Sequence, residues 1–277
     1  MFAIGNYRIL DKLDKCGLCE PYLCAEPHTG SHVVIGTIRA ADHYPSENVD
    51  AFRGRLLGDV RAASSLSHPN IVAVYEVGRD GDLDYVVTEY VNGRTLKQIV
   101  AEGPPDLPLS LRTLTDVAHA LDYAHSQGIV HDRVGTDCIL IRDDGFVKVS
   151  GFGTARLIYK DTEALAPYPQ PASFLLPECP SPEFLKGEYP RTGRSDQFSL
   201  ATVAYRLVAG RDPFTAEGLA SRLAKIVLGE PPPVHSINPA ISPQMHPVVR
   251  KALSKDPAGR FDTCAQFMQA LCGVCEV

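Results

Sequence analysis

No run in the 277-residue sequence approaches the roughly 18 consecutive apolar residues that a helix needs to cross a bilayer. A secretory leader is not expected either, because "MFAIGNYRILDKLDK" reaches a charged residue before an apolar region can form. Positive charge is scarce: 27 Lys and Arg stand against 33 Asp and Glu, for a net charge of -6. Sequence-independent affinity for nucleic acid comes from cations that neutralise phosphates, so nucleic acid is excluded as an expected partner. Eight cysteines include two C-x2-C pairs, Cys16 with Cys19 and Cys272 with Cys275. Only Cys24 lies close in sequence to add a third ligand, so the thiols read as free groups of a reducing compartment, and no metal is expected. The expected location is cytoplasmic, with no membrane insertion of this segment, whether the domain stands alone or forms the intracellular part of a membrane protein.

What is present is enough apolar material, 44% of residues, to bury a core in one large domain or two lobes. The first third alternates short apolar runs with turn residues, as in "HVVIGTIRA" and "IVAVYEVGRDGDLDYVVTEYV", where "GRDGDLD" has the composition of a hairpin turn. One helix over about residues 49 to 66 interrupts these strands. From residue 93 the period lengthens: Leu111, Leu114, Val117, Ala118 and Leu121 share one helical face. "DQFSLATVAYRLVAG" is apolar nearly all round, as a helix through the centre of a lobe must be. Further helices fit "AEGLASRLAKIVLG" and "QMHPVVRKALSK", and a last one begins at Thr263, where Thr263-x-x-Gln266 has the form of a capping box. The expectation is an α+β chain, with a small β-rich lobe over 1–92 carrying one helix and a larger helical lobe over 93–277.

Several separated segments carry a specific likeness: "LSHPNIVAVYEVG", "YVVTEYVNGRTL", "ALDYAHSQGIVH", "GFVKVSGFGTARL", "SPEF", "GRSDQFSLATVAYRLVAGRDPF" and "LSKDPAGRF". In this order they resemble the protein kinase domain of the bacterial Ser/Thr type, over essentially the whole chain. The resemblance implies a bilobal protein-kinase-like fold. It also assigns roles by position, and at the chemical positions this sequence departs from the pattern. The three glycines of the phosphate-covering loop fall on Asp14, Cys16 and Cys19, and the phosphate-holding lysine of the third strand falls on Gly36. The helical glutamate that partners this lysine falls on Asp59. In "GIVHDRVGTDCILI" the catalytic base position holds Arg133, because the usual His-Arg-Asp order here is His131-Asp132-Arg133. The two metal-ligand positions hold Cys138 and Gly151, neither of which offers the hard oxygen that Mg2+ takes. Pro21 and Val34 stand where the adenine pocket is walled, and the extra bulk of Val34 disfavours nucleotide, so no cofactor is expected.

Architectural positions are kept. His131, Phe152 with Gly153, Glu183, Asp196 and Arg260 fall where the family holds its larger lobe together, with Asp196 expected to anchor the catalytic-loop backbone and Glu183 to pair with Arg260. Arginine does not deprotonate near neutral pH, and phosphoryl transfer is almost wholly positioning and charge neutralisation. From these losses the chain is expected not to be an enzyme, but a pseudokinase serving as a phosphorylation-regulated scaffold or protein-binding module in bacterial signalling or cell-envelope control. Expected partners are proteins: an active Ser/Thr kinase and a phosphothreonine-reading forkhead-associated domain, with Thr162, Thr263 and Thr154 as candidate acceptors. The alternative is an atypical protein kinase, or a non-catalytic nucleotide-binding module, whose rearranged site uses Asp132, Asp137 or another carboxylate.

Overall fold

The computed structural model describes residues 3–14, 19–39, 49–153, 176–188 and 190–275. These divide into two compact units. The first runs to Asn92 and takes in Gly151, Phe152 and Gly153 from later in the chain, residues that the sequence reading left in the second lobe.

The first unit is a six-stranded antiparallel sheet in the order β1-β2-β3-β4-β6-β5. Its strands are β1 (Ala3–Ile4), β2 (Tyr7–Lys12), β3 (Glu20–Ala25), β4 (His32–Ile38), β5 (Val74–Asp80) and β6 (Leu83–Glu89). β4 alternates, burying Val33, Ile35 and Thr37 while Val34 and Gly36 face the other way, as the two-residue period of a strand dictates. Val33 and Ile35 join Ile4, Cys24, Tyr85 and Val87 in one apolar cluster. The "GRDGDLD" turn closes a two-residue hairpin, pairing Asp80 with Leu83, and Gly81 at φ +59 supplies the positive φ such a turn needs at its first central residue. Helix α1 (Val49–Ser64) packs against β5. It stops two residues short of the expected end because Ser65 and Leu66 donate three residues back, to Ala62 and Ala63, in a tightened final turn.

The second unit begins with a three-stranded sheet, β7 (Gly93–Thr95), β8 (Ile139–Arg142) and β9 (Val147–Val149), and continues as helices. Helix α2 (Leu96–Glu102) opens on a complete capping box between Thr95 and Gln98. Helix α3 (Leu107–Ser126) opens on Asp106, whose carboxylate accepts from the Leu109 N–H, and it buries Leu114, Val117, Ala118 and Leu121 while Leu111 is half-buried. α4 (Pro182–Leu185) is a single turn. α5 (Gly193–Ala209) is the buried central helix, ended by Gly210 at φ +76 in the left-handed conformation that glycine adopts without strain. Around it follow α6 (Leu219–Leu228), α7 (Val234–Ile237), α8 (Met245–Ala252) and α9 (Cys264–Gly273). At α9 the Thr263 hydroxyl accepts from the Gln266 N–H, but the return bond lands on the Asp262 N–H instead of Thr263, so the expected box is displaced by one residue. Among the described residues, no helix is long and apolar enough to cross a membrane.

Candidate functional site

The loop between α3 and β8, residues 130 to 138, is hung on one buried carboxylate. Asp196, in the first turn of α5, accepts from the backbone N–H groups of His131 and Asp132 at 2.8 Å each and contacts His125 Nε2 at 2.7 Å. Burial works against the charge, yet these partners keep the Asp196 carboxyl below its usual pKa. Burial alone would lower the pKa of His125. The Asp122 and Asp196 carboxylates outweigh it and push it up to about 9. His131 is different, because burial holds its pKa down and the ring stays neutral. Its Nδ1 accepts from the Arg133 N–H at 3.2 Å, which leaves Nε2 to donate to the Ser150 carbonyl at 2.8 Å. The imidazole therefore fixes both ends of the turn that carries residues 132 and 133.

The exchanged pair in this turn goes two ways. Asp132 adopts φ +62, the only positive value at a non-glycine among the described residues, and turns inward to Arg191 at 2.9 Å. Their side chains are 2% and 3% exposed. This corrects the alternative reading in which Asp132 replaces the base: a carboxylate sealed in an ion pair cannot reach a substrate hydroxyl. Arg133, which the resemblance aligned with the base, reaches Asp137 at 3.2 Å, and Asp137 retains 22% exposure. Cys138 is buried, and its sulfur accepts from the Gly135 N–H at 3.3 Å and contacts the Gly135 carbonyl at 3.2 Å. A sulfur committed to its own loop is a poor match for a hard cation, so the standard Mg2+ set does not fit these residues.

A further cluster, invisible to sequence reasoning, pins this loop from outside. Glu178 accepts from the Thr136 N–H at 2.6 Å and from the Thr136 hydroxyl, pairs with Arg206 of α5, and gives its carbonyl to Arg222 of α6 at 2.8 Å. A side chain at Gly135 would meet Glu178 Oε2 at 2.8 Å, so the glycine is what admits the carboxylate. Deeper in the same unit, Arg260 grips Glu183 through two bonds of 2.8 and 2.9 Å, and Ser195 donates to Glu183 at 2.7 Å. Burial would raise the Glu183 pKa, but the guanidinium and hydroxyl hold it below the usual carboxylate range.

In the first unit, Gly36 pairs with Pro21 on one side and Val86 on the other, and a β-carbon there would lie 3.8 Å from Cys19 Cβ. Val34, two residues earlier on the same face, pairs with Leu23 and Thr88. Asp14 is exposed at the end of the β2 strand region, and Cys16 lies outside the described residues. Asp59 sits on α1 near Gly153: a side chain at Gly153, which has φ +80, would come within 2.6 Å of the Asp59 carbonyl. Phe152 beside it is buried, and Gly151 precedes it. Thr154 and Thr162 lie outside the described residues. Thr263 is exposed, but the N–H groups of Cys264 and Ala265 behind it already donate to Asp122 at 2.9 and 2.8 Å, so a phosphate there would meet a carboxylate already seated at the helix start.

A curled antiparallel sheet with one helix, and a helical unit whose histidine loop hangs from a buried aspartate, together define a protein-kinase-like fold. The protein kinase domain family matches residues 7–271, and the chain belongs to it. It is 33% identical over 267 residues to the serine/threonine-protein kinase PrkC of Bacillus subtilis, covering 96% of this chain and 40% of that protein. It is 32% identical to the serine/threonine-protein kinase PknB of Mycobacterium tuberculosis, covering 95% of this chain and 42% of that protein. The chain thus spans about two fifths of the length of these relatives. The crystal structure of the Mycobacterium tuberculosis PknI kinase domain matches with a TM-score of 0.75 at 26% identity, covering 98% of this chain and 97% of that one.

These relatives overturn the expectation that the chain is not an enzyme. They are serine/threonine kinases by name and align with nearly all of it, which points to an enzyme. Side chains missing at aligned positions remove one standard set of groups, and carry no information about carboxylates or cations recruited from elsewhere in the fold.

Proposed function

We propose that this chain is the kinase-type domain of a bacterial Ser/Thr phosphosignalling protein, working through phosphorylation-regulated protein binding on a fold whose phosphoryl-transfer site is rearranged. One contrast carries the reading. The loop of residues 130 to 138 is held by Asp196 and His131, while the family resemblance aligns Arg133 and Cys138 with a base and a metal ligand, which supports a rearranged site. Phosphothreonine is the natural currency of such a system, since a dianion adds acceptor oxygens that a reading domain recognises through charge-assisted hydrogen bonds. The proposed partners are an active Ser/Thr kinase and a forkhead-associated domain, at the cytoplasmic face of the cell. Incubation with an active Ser/Thr kinase, Mg2+ and ATP should modify Thr154 or Thr162, and Thr263 less if at all because of the Asp122 carboxylate beside it, by mass spectrometry, and create binding to a forkhead-associated domain. Absence of both modification and phosphate-dependent capture would defeat the proposal.

Asp137 favours a second reading, an atypical kinase with a substituted base. Its half-buried carboxylate lies on the catalytic loop beside Arg133. Transfer from labelled ATP with Mg2+ or Mn2+ would then fall in Asp137→Asn, by the 100- to 10,000-fold typical of removing a general base. Equal rates in the two proteins would dismiss that role.

A further inference from the structure

Asp122, His125 and Cys264 bring three different donor chemistries together within the second unit. Asp122 and His125 lie about one turn apart near the end of α3, and Cys264 opens α9, 142 residues further along than Asp122. The packing of α9 on α3 joins them. A carboxylate oxygen, an imidazole nitrogen and the thiol sulfur all lie within 4.8 Å of one another. In this group His125 Nδ1 stands 3.7 Å from an Asp122 oxygen. Donors on one tetrahedral ion, bonded at about 2.0–2.3 Å, stand about 3.3–3.6 Å apart, so small side-chain movements close the set.

Each donor is already aimed. His125 Nε2 is held by Asp196 at 2.7 Å, which leaves Nδ1 as the nitrogen for a ligand. A carboxylate on the far nitrogen is how proteins commonly orient a metal-binding imidazole. Gly193, at the start of α5, lets the ring lie against the backbone, since a β-carbon there would fall 2.3 Å from Nδ1. Asp122 accepts from the N–H groups of Cys264 and Ala265 at 2.9 and 2.8 Å, which fixes the thiol-bearing residue beside the carboxylate and still leaves it lone pairs. A cleft of about 690 Å³, lined also by Thr192, Arg194, Asp262 and Thr263, opens on Asp122 and His125, while Cys264 is buried at 1% exposure. The charge of Arg194 in this cleft is offset by Asp262 at 2.5 Å.

We propose that Asp122, His125 and Cys264 form a binding site for a divalent ion of the zinc class, with a carboxylate oxygen, Nδ1 and Sγ as protein donors and a water from the cleft in the fourth position. Imidazole nitrogen and thiolate sulfur suit zinc, whereas Mg2+ takes oxygen. On binding, the thiol proton and the Nδ1 proton leave to solvent, and the Nε2 proton stays against Asp196.

The test uses the full chain carrying Cys16→Ser, Cys19→Ser, Cys272→Ser and Cys275→Ser, so that neither C-x2-C pair competes. Calorimetric titration should show one Zn2+ bound per chain, with a rise in melting temperature that Mg2+ does not reproduce. X-ray absorption of the zinc-loaded protein should show one sulfur and one imidazole bonded to the metal. Cys264→Ala, checked for folding by its melting curve in chelator, should weaken Zn2+ binding by roughly tenfold or more. Unchanged affinity in that variant would overturn the proposal. So would the absence of Zn2+ binding, or a zinc spectrum without sulfur, a measurement that needs no further variant to fold.

Discussion

His125 sits between Asp122 and Asp196, and its protonation is tied to the anchor of the catalytic loop. Its pKa is raised from 6.5 to about 9, so the folded protein holds this proton more tightly than the unfolded chain does. Its contribution to stability is full below about pH 6.5 and is lost as pH rises through 9. The carboxyl groups of Glu183 and Asp196 shift the other way, and their contribution disappears as pH falls through the carboxylate range. Melting temperature should therefore decline on the alkaline side between these limits, and His125→Gln should flatten that decline in a scan of thermal unfolding against pH. The Glu183–Arg260 pair makes a second prediction at this scale. Arg260→Met leaves a buried carboxylate without its cation, a change that costs about 3–5 kcal/mol, whereas Glu183→Leu with Arg260→Met should recover much of the loss in urea titration. Asp132 and Arg191 belong to the same class of buried pair, with charges that no neighbour in sequence would have matched.

At the scale of elements, the catalytic loop is positioned by what lies across from it more than by its own sequence. Glu178, at the approach to α4, reaches Thr136, and Arg206 of α5 pairs with the same carboxylate. Gly135 makes room for that contact. Gly135→Ala should destabilise the domain by about 1–3 kcal/mol through overpacking, and by less when Glu178→Ala is already present. A double-mutant cycle by chemical denaturation measures the difference, and strict additivity would contradict the contact. Gly153 is a parallel case in the first unit. Its φ of +80 and the Asp59 carbonyl 2.6 Å from any added β-carbon mean that Gly153→Ala should loosen the packing of α1, read as faster amide exchange along that helix.

For the whole molecule, kinase architecture and kinase chemistry have separate determinants. The first rests on contacts of Asp196, His131, Glu183 and Arg260, and the second is proposed to depend on side chains at positions 36, 133, 138 and 151. Restoring the standard groups together, as Gly36→Lys, Arg133→Asp, Cys138→Asn and Gly151→Asp, should raise phosphoryl transfer far more than any single replacement. Groups that act as a unit are strongly non-additive, and one positioned electrostatic group is commonly worth about 2.7–4 kcal/mol. Autophosphorylation rates of the four single variants and the combination test this. A combination no faster than the singles would mean that transfer is limited by other groups.

The fold was legible in the sequence because it is written in local periodicities and turn chemistry: the alternation of β4, the Gly81 hairpin, the buried face of α3 and the long apolar stretch of α5 each need only neighbouring residues. The assignment of Gly36, Arg133, Cys138 and Gly151 to chemical positions comes from the family resemblance alone, because a group recruited from elsewhere in the fold leaves no mark at an aligned position. Asp132 turning inward to Arg191, Glu178 clamping Thr136 across 42 residues of chain, and Cys264 meeting Asp122 and His125 were decided only by tertiary structure. Burial and long-range pairing set which charges meet and which are sealed from water, and no short stretch of sequence holds both members of such a pair.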